Sequence, residues 1–180
     1  EVAKQETSFN FETIIVDSGS NDRTLDIVSN FNVRLIHINP EQFTFGRSLN
    51  IGIEAALGEY CVMTSAHCYP THKHWIENLV APFSNPNCSI VYGKQMGINE
   101  TKYSEQQIFA RWFPEVSDPK TKLHFCNNAN CAIRKTNWQI RKFDEELTGL
   151  EDMDYAKSCH QRGHDIAYRA DASVYHIHDE

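Results

Sequence analysis

Short apolar runs of strand length alternate with stretches of helical spacing along most of this chain, and that alternation constrains the fold more than any other feature. Thr13, Ile14, Ile15 and Val16 form a β-branched run that stops in Asp17-Ser18-Gly19-Ser20, a strand ending in a turn. Asp22 is placed to cap a helix in which Leu25, Ile27, Val28 and Phe31 recur at mainly helical spacing. A second strand is expected over residues 33–38, a helix over 48–57 closed by Gly58, and a third strand over 60–64. Thr71 is the expected cap of a helix whose apolar face is Trp75, Ile76, Leu79 and Val80, and a strand over 88–92 follows. Residues 1–8 are polar and weakly helical, and residues 97–124 are polar and irregular apart from a helix near 105–112. A strand over 131–133, a helix over 152–162 ended by Gly163, and closing strands over 166–169 and 173–175 complete the pattern. Such alternation predicts an α/β domain spanning residues 1–180, with a mostly parallel central sheet and helices on both faces.

Composition narrows the function. With 41% hydrophobic and 23% charged residues, 180 residues suffice for one ordinary soluble core. No apolar run approaches the roughly 18–20 residues of a membrane span. The opening EVAKQETSFN has no apolar signal-peptide core. A net charge of −7 without a dense Lys/Arg stretch argues against nucleic acid as a partner. Six cysteines without a CxxC pair read as reduced thiols, which favours the cytoplasm.

Ligands of open α/β sheets bind beyond the carboxyl ends of strands. Two polar clusters follow strand runs here, Asp17-Ser18-Gly19-Ser20-Asn21-Asp22 and Ser65-Ala66-His67-Cys68. The first suits a ribose or base edge and equally suits a plain turn with a helix cap. Asp17 and Ser65 are expected at strand ends facing one cleft.

The string FETIIVDSGSNDRTLDIV resembles the FEIIVVDDGSTDGT segment of family 2 glycosyltransferases. FGRSLNIGIEAALGEYCVMTSAHCYP is similar to that family's next block, a Gly/Arg/Asn loop and helix, then a strand and a metal motif. VYGKQ, FCNNANCAIRKTNW and FDEELTGLEDMDYAKSCHQRGHDIAYRADASVYHIHD resemble later blocks, two of them as seen in rhamnosyltransferase-like branches. The blocks cover residues 9–179 in order.

The resemblance implies a GT-A fold, a Rossmann-like sheet that binds a nucleoside-diphosphate sugar and passes the sugar to a glycan or glycolipid acceptor, with inversion. It puts Asp17 and Ser18 against the base or ribose, Arg47 and Asn50 near the nucleotide, and Ser65, Ala66 and His67 at the metal motif. A guanidinium at Arg47 can pair with phosphate oxygens. Where the family has Asp-x-Asp this chain has Ser65-Ala66-His67, so the Mn²⁺ or Mg²⁺ would be held by His67 with His176 or His178. Asp152 becomes the general base and Glu151 its tuning neighbour, while either residue would otherwise read as a helix N-terminal carboxylate. Asp154 is the weaker candidate. Trp112 and Phe113 suit acceptor stacking or core packing equally. His72, His74, Cys126 and Cys131 read as packing or surface residues. The family opens with a strand of the type VSIIIPTYN, and nothing before Phe11 matches it. The chain is therefore expected to lack one wall of the nucleotide pocket. A product such as a surface polysaccharide leaves room for association with the inner face of the membrane through other segments. Two other readings stand beside this one. The first is a degenerate domain that binds nucleotide sugar or glycan without turnover. The second is a sugar nucleotidyltransferase, whose glycine-rich loop is not visible here.

Overall fold

Ile14, Ile15 and Val16 do extend into a strand. In the computed structural model, which describes residues 1–177, β1 (Ile14–Asp17) pairs in parallel with β2 (Arg34–His37), Ile14 opposite Arg34 and Asp17 opposite His37. The connection carries a short helix, α1 (Thr24–Val28), whose first turn is anchored by the Thr24 N–H donating to Asp22 Oδ1 at 2.9 Å. The other strands form a separate five-stranded sheet. They are β3 (Tyr60–Thr64), β4 (Cys68–Pro70), β5 (Cys88–Met96), β6 (Asn130–Arg134) and β7 (Asp165–His176), in the order β3-β6-β5-β7-β4.

That sheet is mixed, which corrects the mostly parallel arrangement expected from the sequence. Only β5 and β7 run parallel; the β3–β6, β5–β6 and β4–β7 pairs are antiparallel. The apolar run of β6 is buried on both faces, and such a run carries no information about strand direction. β4 emerges straight from the turn after β3 and is too short and too polar in context to announce itself. The two closing runs are one continuous strand.

Side chains alternate across the sheet as the period of two requires. Ile90, Tyr92, Cys131, Ile133, Ile166 and Tyr168 face one layer. Val91, Ala132, Ala167 and Val174 face the other, packed on Trp75, Ile76 and Leu79 of α3 (Trp75–Val80). The first layer is closed by α2 (Phe45–Ala55), α4 (Tyr103–Trp112), α5 (Lys135–Ile140) and α6 (Glu151–Gln161), through residues such as Ile53, Phe109, Trp138 and Tyr155. Helices thus cover both faces.

Two helix ends differ from expectation. α2 starts at Phe45 because the Thr44 hydroxyl accepts from the Arg47 N–H at 3.1 Å, and it ends before Gly58 is reached. Thr71 caps nothing; its hydroxyl engages Ser173 across β4 and β7, and α3 begins at Trp75. Gly46 is required where it stands, since a Cβ there would lie 2.3 Å from the Asp144 carbonyl oxygen.

Between the two sheets lies a slot. Among the described residues β1 pairs only with β2, and β3 only with β6. Their open edges line one cavity of about 730 Å³ together with Leu49, Gly52 and Ile53 of α2.

Candidate functional site

Asp17 closes β1 and Ser65 follows β3, so both polar clusters do lie at strand carboxyl ends. The Asp17 carboxylate is turned into its own loop. It accepts from the Gly19 N–H at 3.1 Å and the Ser20 N–H at 3.2 Å, and faces His37 Nδ1 at 3.4 Å. Hydrogen bonding from Ser20, aided by Gly19 and His37, holds this carboxyl below the ordinary aspartate range. Gly19 makes the loop possible: its φ is +98°, and a side chain would meet the Pro40 ring at 2.6 Å. Asp17 therefore shapes the loop that carries Ser18.

The second cluster forms a tight turn, with the Cys68 N–H donating to the Ser65 carbonyl at 3.0 Å. Cys68 then enters β4 directly opposite His176 of β7. The His67 and His176 rings stack at 4.7 Å, and the ligating atoms of His67, Cys68 and His176 all lie within 4.8 Å of one another. His176 is fixed by Gln95, whose Oε1 lies 2.6 Å from His176 Nδ1. Burial pushes the Cys68 thiol up to about 11. Gln95 was not singled out in the sequence, and Cys68 only as the last residue of the Ser65–Cys68 cluster; the Cys68–His176 pairing depends on a strand that the sequence does not announce. His178 lies outside the described residues.

Glu151 and Asp152 open α6, after Leu150 in the left-handed region at φ 64°. Glu151 is buried and its Oε1 accepts from Asn128 Nδ2 at 3.1 Å. Asp152 takes the Met153 N–H at 2.7 Å on Oδ1 and faces the Asn128 N–H at 3.4 Å with Oδ2. Burial, reinforced by the neighbouring Glu151 charge, raises the Asp152 carboxyl above its ordinary value. Asp154 instead ion-pairs with Arg141.

One loop joins the two centres. The Ala129 carbonyl accepts from the Ser65 N–H at 3.4 Å and the Thr64 hydroxyl at 3.2 Å, while the adjacent Asn128 holds the Glu-Asp pair. Asn128 is the functional candidate that the sequence reading passed over. Its signal was the Asn127-Asn128 doublet ahead of β6, embedded in the FCNNANCAIRKTNW block.

Three expectations divide. The Arg47 guanidinium, half-buried in the first turn of α2, has no hydrogen bond or ion pair among the described residues. Asn50, expected near the nucleotide, is instead buried and structural. Its amide donates to the Phe143 carbonyl and Glu145, and its oxygen accepts from Trp138 Nε1 at 2.9 Å and the Phe143 N–H at 3.1 Å. Phe113 is core, packed among Tyr92, Phe109 and Phe125, and is not available to stack on a sugar. Trp112 is 36% exposed, one face on Phe125 at 4.9 Å and the Arg111 guanidinium 5.8 Å from its ring. All six cysteines are free, and His72 is spent on the Asp171 carbonyl. No helix among the described residues is long and apolar enough to cross a membrane.

The sequence model of glycosyl transferase family 2 matches residues 1–148. The chain belongs to that family. It is 26% identical to the O-antigen chain rhamnosyltransferase RfbN of Salmonella typhimurium over 98% of this chain and 60% of the relative, and 27% identical to WbaN of Salmonella anatum over 98% and 59%. This family 2 chain thus spans about three fifths of the length of the curated relatives it matches. Among solved structures it resembles Staphylococcus aureus TarS 1-349 in complex with UDP-GlcNAc, with a TM-score of 0.77 at 20% identity over 99% of this chain and 53% of that one. It also resembles the Pyrobaculum calidifontis mannosyltransferase PcManGT in complex with GDP-Man and Mn²⁺, with a TM-score of 0.72 at 17% identity over 97% and 50%. These likenesses establish the GT-A fold.

Proposed function

We propose that this domain transfers a sugar, with inversion, from a nucleoside-diphosphate sugar to a glycan or glycolipid acceptor, in the assembly of a surface polysaccharide at the cytoplasmic side of a membrane. The observation that carries the proposal is the Asn128-Ala129 bridge, which ties a strand-end turn bearing ligand-type side chains to a carboxylate pair, Glu151 buried and Asp152 half-buried. Ser18 and Ser65, with the loop shaped by Asp17, line the donor side, and the Arg47 guanidinium meets the diphosphate. A divalent cation at His67 and His176 would offset diphosphate charge as the leaving group departs. Asp152 takes the acceptor hydroxyl's proton while the new bond to the anomeric carbon forms and the bond to the diphosphate breaks. Glu151, fixed by Asn128, orients the acceptor and keeps the Asp152 carboxyl basic. Trp112 offers its exposed edge to an acceptor ring.

The decisive experiment pairs two measurements on the full-length protein. Nucleoside-diphosphate sugars are titrated for binding, and sugar transfer to a lipid-linked or free glycan acceptor is followed. Binding together with transfer supports the enzyme. A second reading, a domain that binds donor without turnover, draws on Ser65 in place of a carboxylate. Binding without transfer or donor hydrolysis would favour it. The slot between β1 and β3 is where a further extended strand would complete the sheet and the nucleotide pocket wall.

A further inference from the structure

We propose that His67, Cys68 and His176 form a thiolate-bearing metal site that prefers Zn²⁺ or Co²⁺ to the Mn²⁺ or Mg²⁺ implied by family resemblance. This rests on the metal position proposed above and changes its chemistry. Two imidazole nitrogens and one sulfur converge within 4.8 Å of one another. Carboxylate and water oxygens suit Mn²⁺ and Mg²⁺, whereas thiolate and imidazole suit Zn²⁺ and Co²⁺. Ser65 stands where a carboxylate would have supplied the hard ligand.

The geometry comes from the fold rather than from chance proximity of side chains. Cys68 and His176 are register partners on adjacent antiparallel strands, and the Ile177 N–H donates to the His67 carbonyl at 3.1 Å, holding the third residue beside them. Gln95 is fully buried, and its carbonyl oxygen accepts a hydrogen bond from the His176 Nδ1–H, which fixes the tautomer and ring orientation as outer-shell partners of metal-bound histidines do. Three protein ligands leave a fourth position for a water or a diphosphate oxygen, the pattern of catalytic rather than structural zinc sites. Binding releases one proton: the S–H bond of Cys68 breaks, the sulfur–metal bond forms, and the proton goes to solvent.

The test uses the full-length protein, stripped with chelator and titrated with Co²⁺, then with Zn²⁺ and Mn²⁺ in competition. The expected result is a thiolate-to-cobalt charge-transfer band that Zn²⁺ abolishes and equimolar Mn²⁺ does not. Cys68→Ser should remove the band and weaken Zn²⁺ binding about tenfold or more. His67→Ala alters an exposed side chain, leaves the circular dichroism spectrum unchanged and weakens binding similarly. A band that persists in Cys68→Ser, equal competition by Mn²⁺, or no bound metal would each overturn the proposal. Sugar transfer that proceeds in chelator would leave the transferase reading standing and remove this one. A cobalt–thiolate band in a protein that binds no nucleotide would do the reverse.

Discussion

Asn128 donates its side-chain amide to Glu151 Oε1 at 3.1 Å while its own backbone N–H faces Asp152 Oδ2 at 3.4 Å. A single residue thereby holds two adjacent carboxylates in different states of engagement. Glu151 is buried and fixed, and Asp152 keeps the more accessible oxygens at the head of α6. Adjacent carboxylates with unequal surroundings can divide positioning and proton transfer between them.

Asp152→Asn keeps the shape of the side chain and removes the base. Transfer should fall by about a hundred- to ten-thousand-fold, the usual contribution of a general base, while nucleotide affinity stays as it was. Glu151→Gln should lose less. Steady-state transfer rates and nucleotide titrations on the same preparations check both, and a wild-type rate in Asp152→Asn excludes it as the base.

The same residue predicts a stability effect of definite sign. Folding raises the Asp152 pKa, chiefly by burial, so folding favours its protonated form. The stabilising contribution is complete below the unfolded value of about 3.9 and is lost as pH rises through the raised folded value. At neutral pH the ionised carboxylate opposes folding. Asp152→Asn should therefore melt higher than the parent at pH 7, with the gap closing in acid. Transfer itself should fail on the acid side at a pH above the ordinary aspartate range.

Asn50 shows where sequence reading reached its limit. Helix α2 and its Gly/Arg/Asn block were legible because the apolar spacing and the motif agree, yet side-chain direction follows from packing against Trp138 and Phe143, about ninety positions away in sequence. The strands other than β4 were legible too, since apolar and β-branched runs bounded by turns declare themselves. Their directions were not, because a run buried on both faces reads alike either way. Asp17 and Ser65 could be located by their place at strand ends, and the Glu-Asp pair by the family block that holds it. The joining role of Asn128 and the partnership of Cys68 with His176 needed the sheet register.

Asn50→Ala should be a stability variant and not a binding variant. It leaves the Trp138 indole N–H and two Phe143 backbone groups without their partner in the core. An unsatisfied buried polar group costs about 1–3 kcal/mol, so a loss on the order of 3 kcal/mol is expected. Denaturant unfolding measures it, and nucleotide affinity below the transition should match the parent. A selective loss of affinity in a fully stable variant would return Asn50 to the donor site.

Arg47→Ala should behave in the opposite way. Its guanidinium has no partner among the described residues, so the fold loses little, while the proposed phosphate contact is lost. Diphosphate affinity should drop about ten- to a hundred-fold, in line with the roughly 1.5–3 kcal/mol typical of a charged hydrogen bond. Arg47→Lys should recover only part of it, because the planar fork is gone. Calorimetric titration with the nucleoside diphosphate and with the free nucleoside separates the two contributions: the nucleoside should bind parent and variant alike.

The slot between β1 and β3 makes the last prediction. Two strands each present an unpaired backbone edge to a cavity of about 730 Å³, floored by Leu49, Gly52 and Ile53. Unpaired edges attract any extended chain that can pair with them, and adding a strand is a common way to satisfy them. β3 has five residues, which at about 3.3 Å per residue sets the length of strand that fits. A longer polypeptide that carries an apolar extended stretch able to enter the slot should melt higher than residues 1–180 alone and bind nucleotide more tightly. Amide hydrogen exchange locates the effect. Protection should rise at residues 14–17 and 60–64 together, because one inserted strand pairs with both edges. Protection of β1 without β3, or a gain in stability with exchange unchanged at both, would mean that the cavity is filled by something other than a strand.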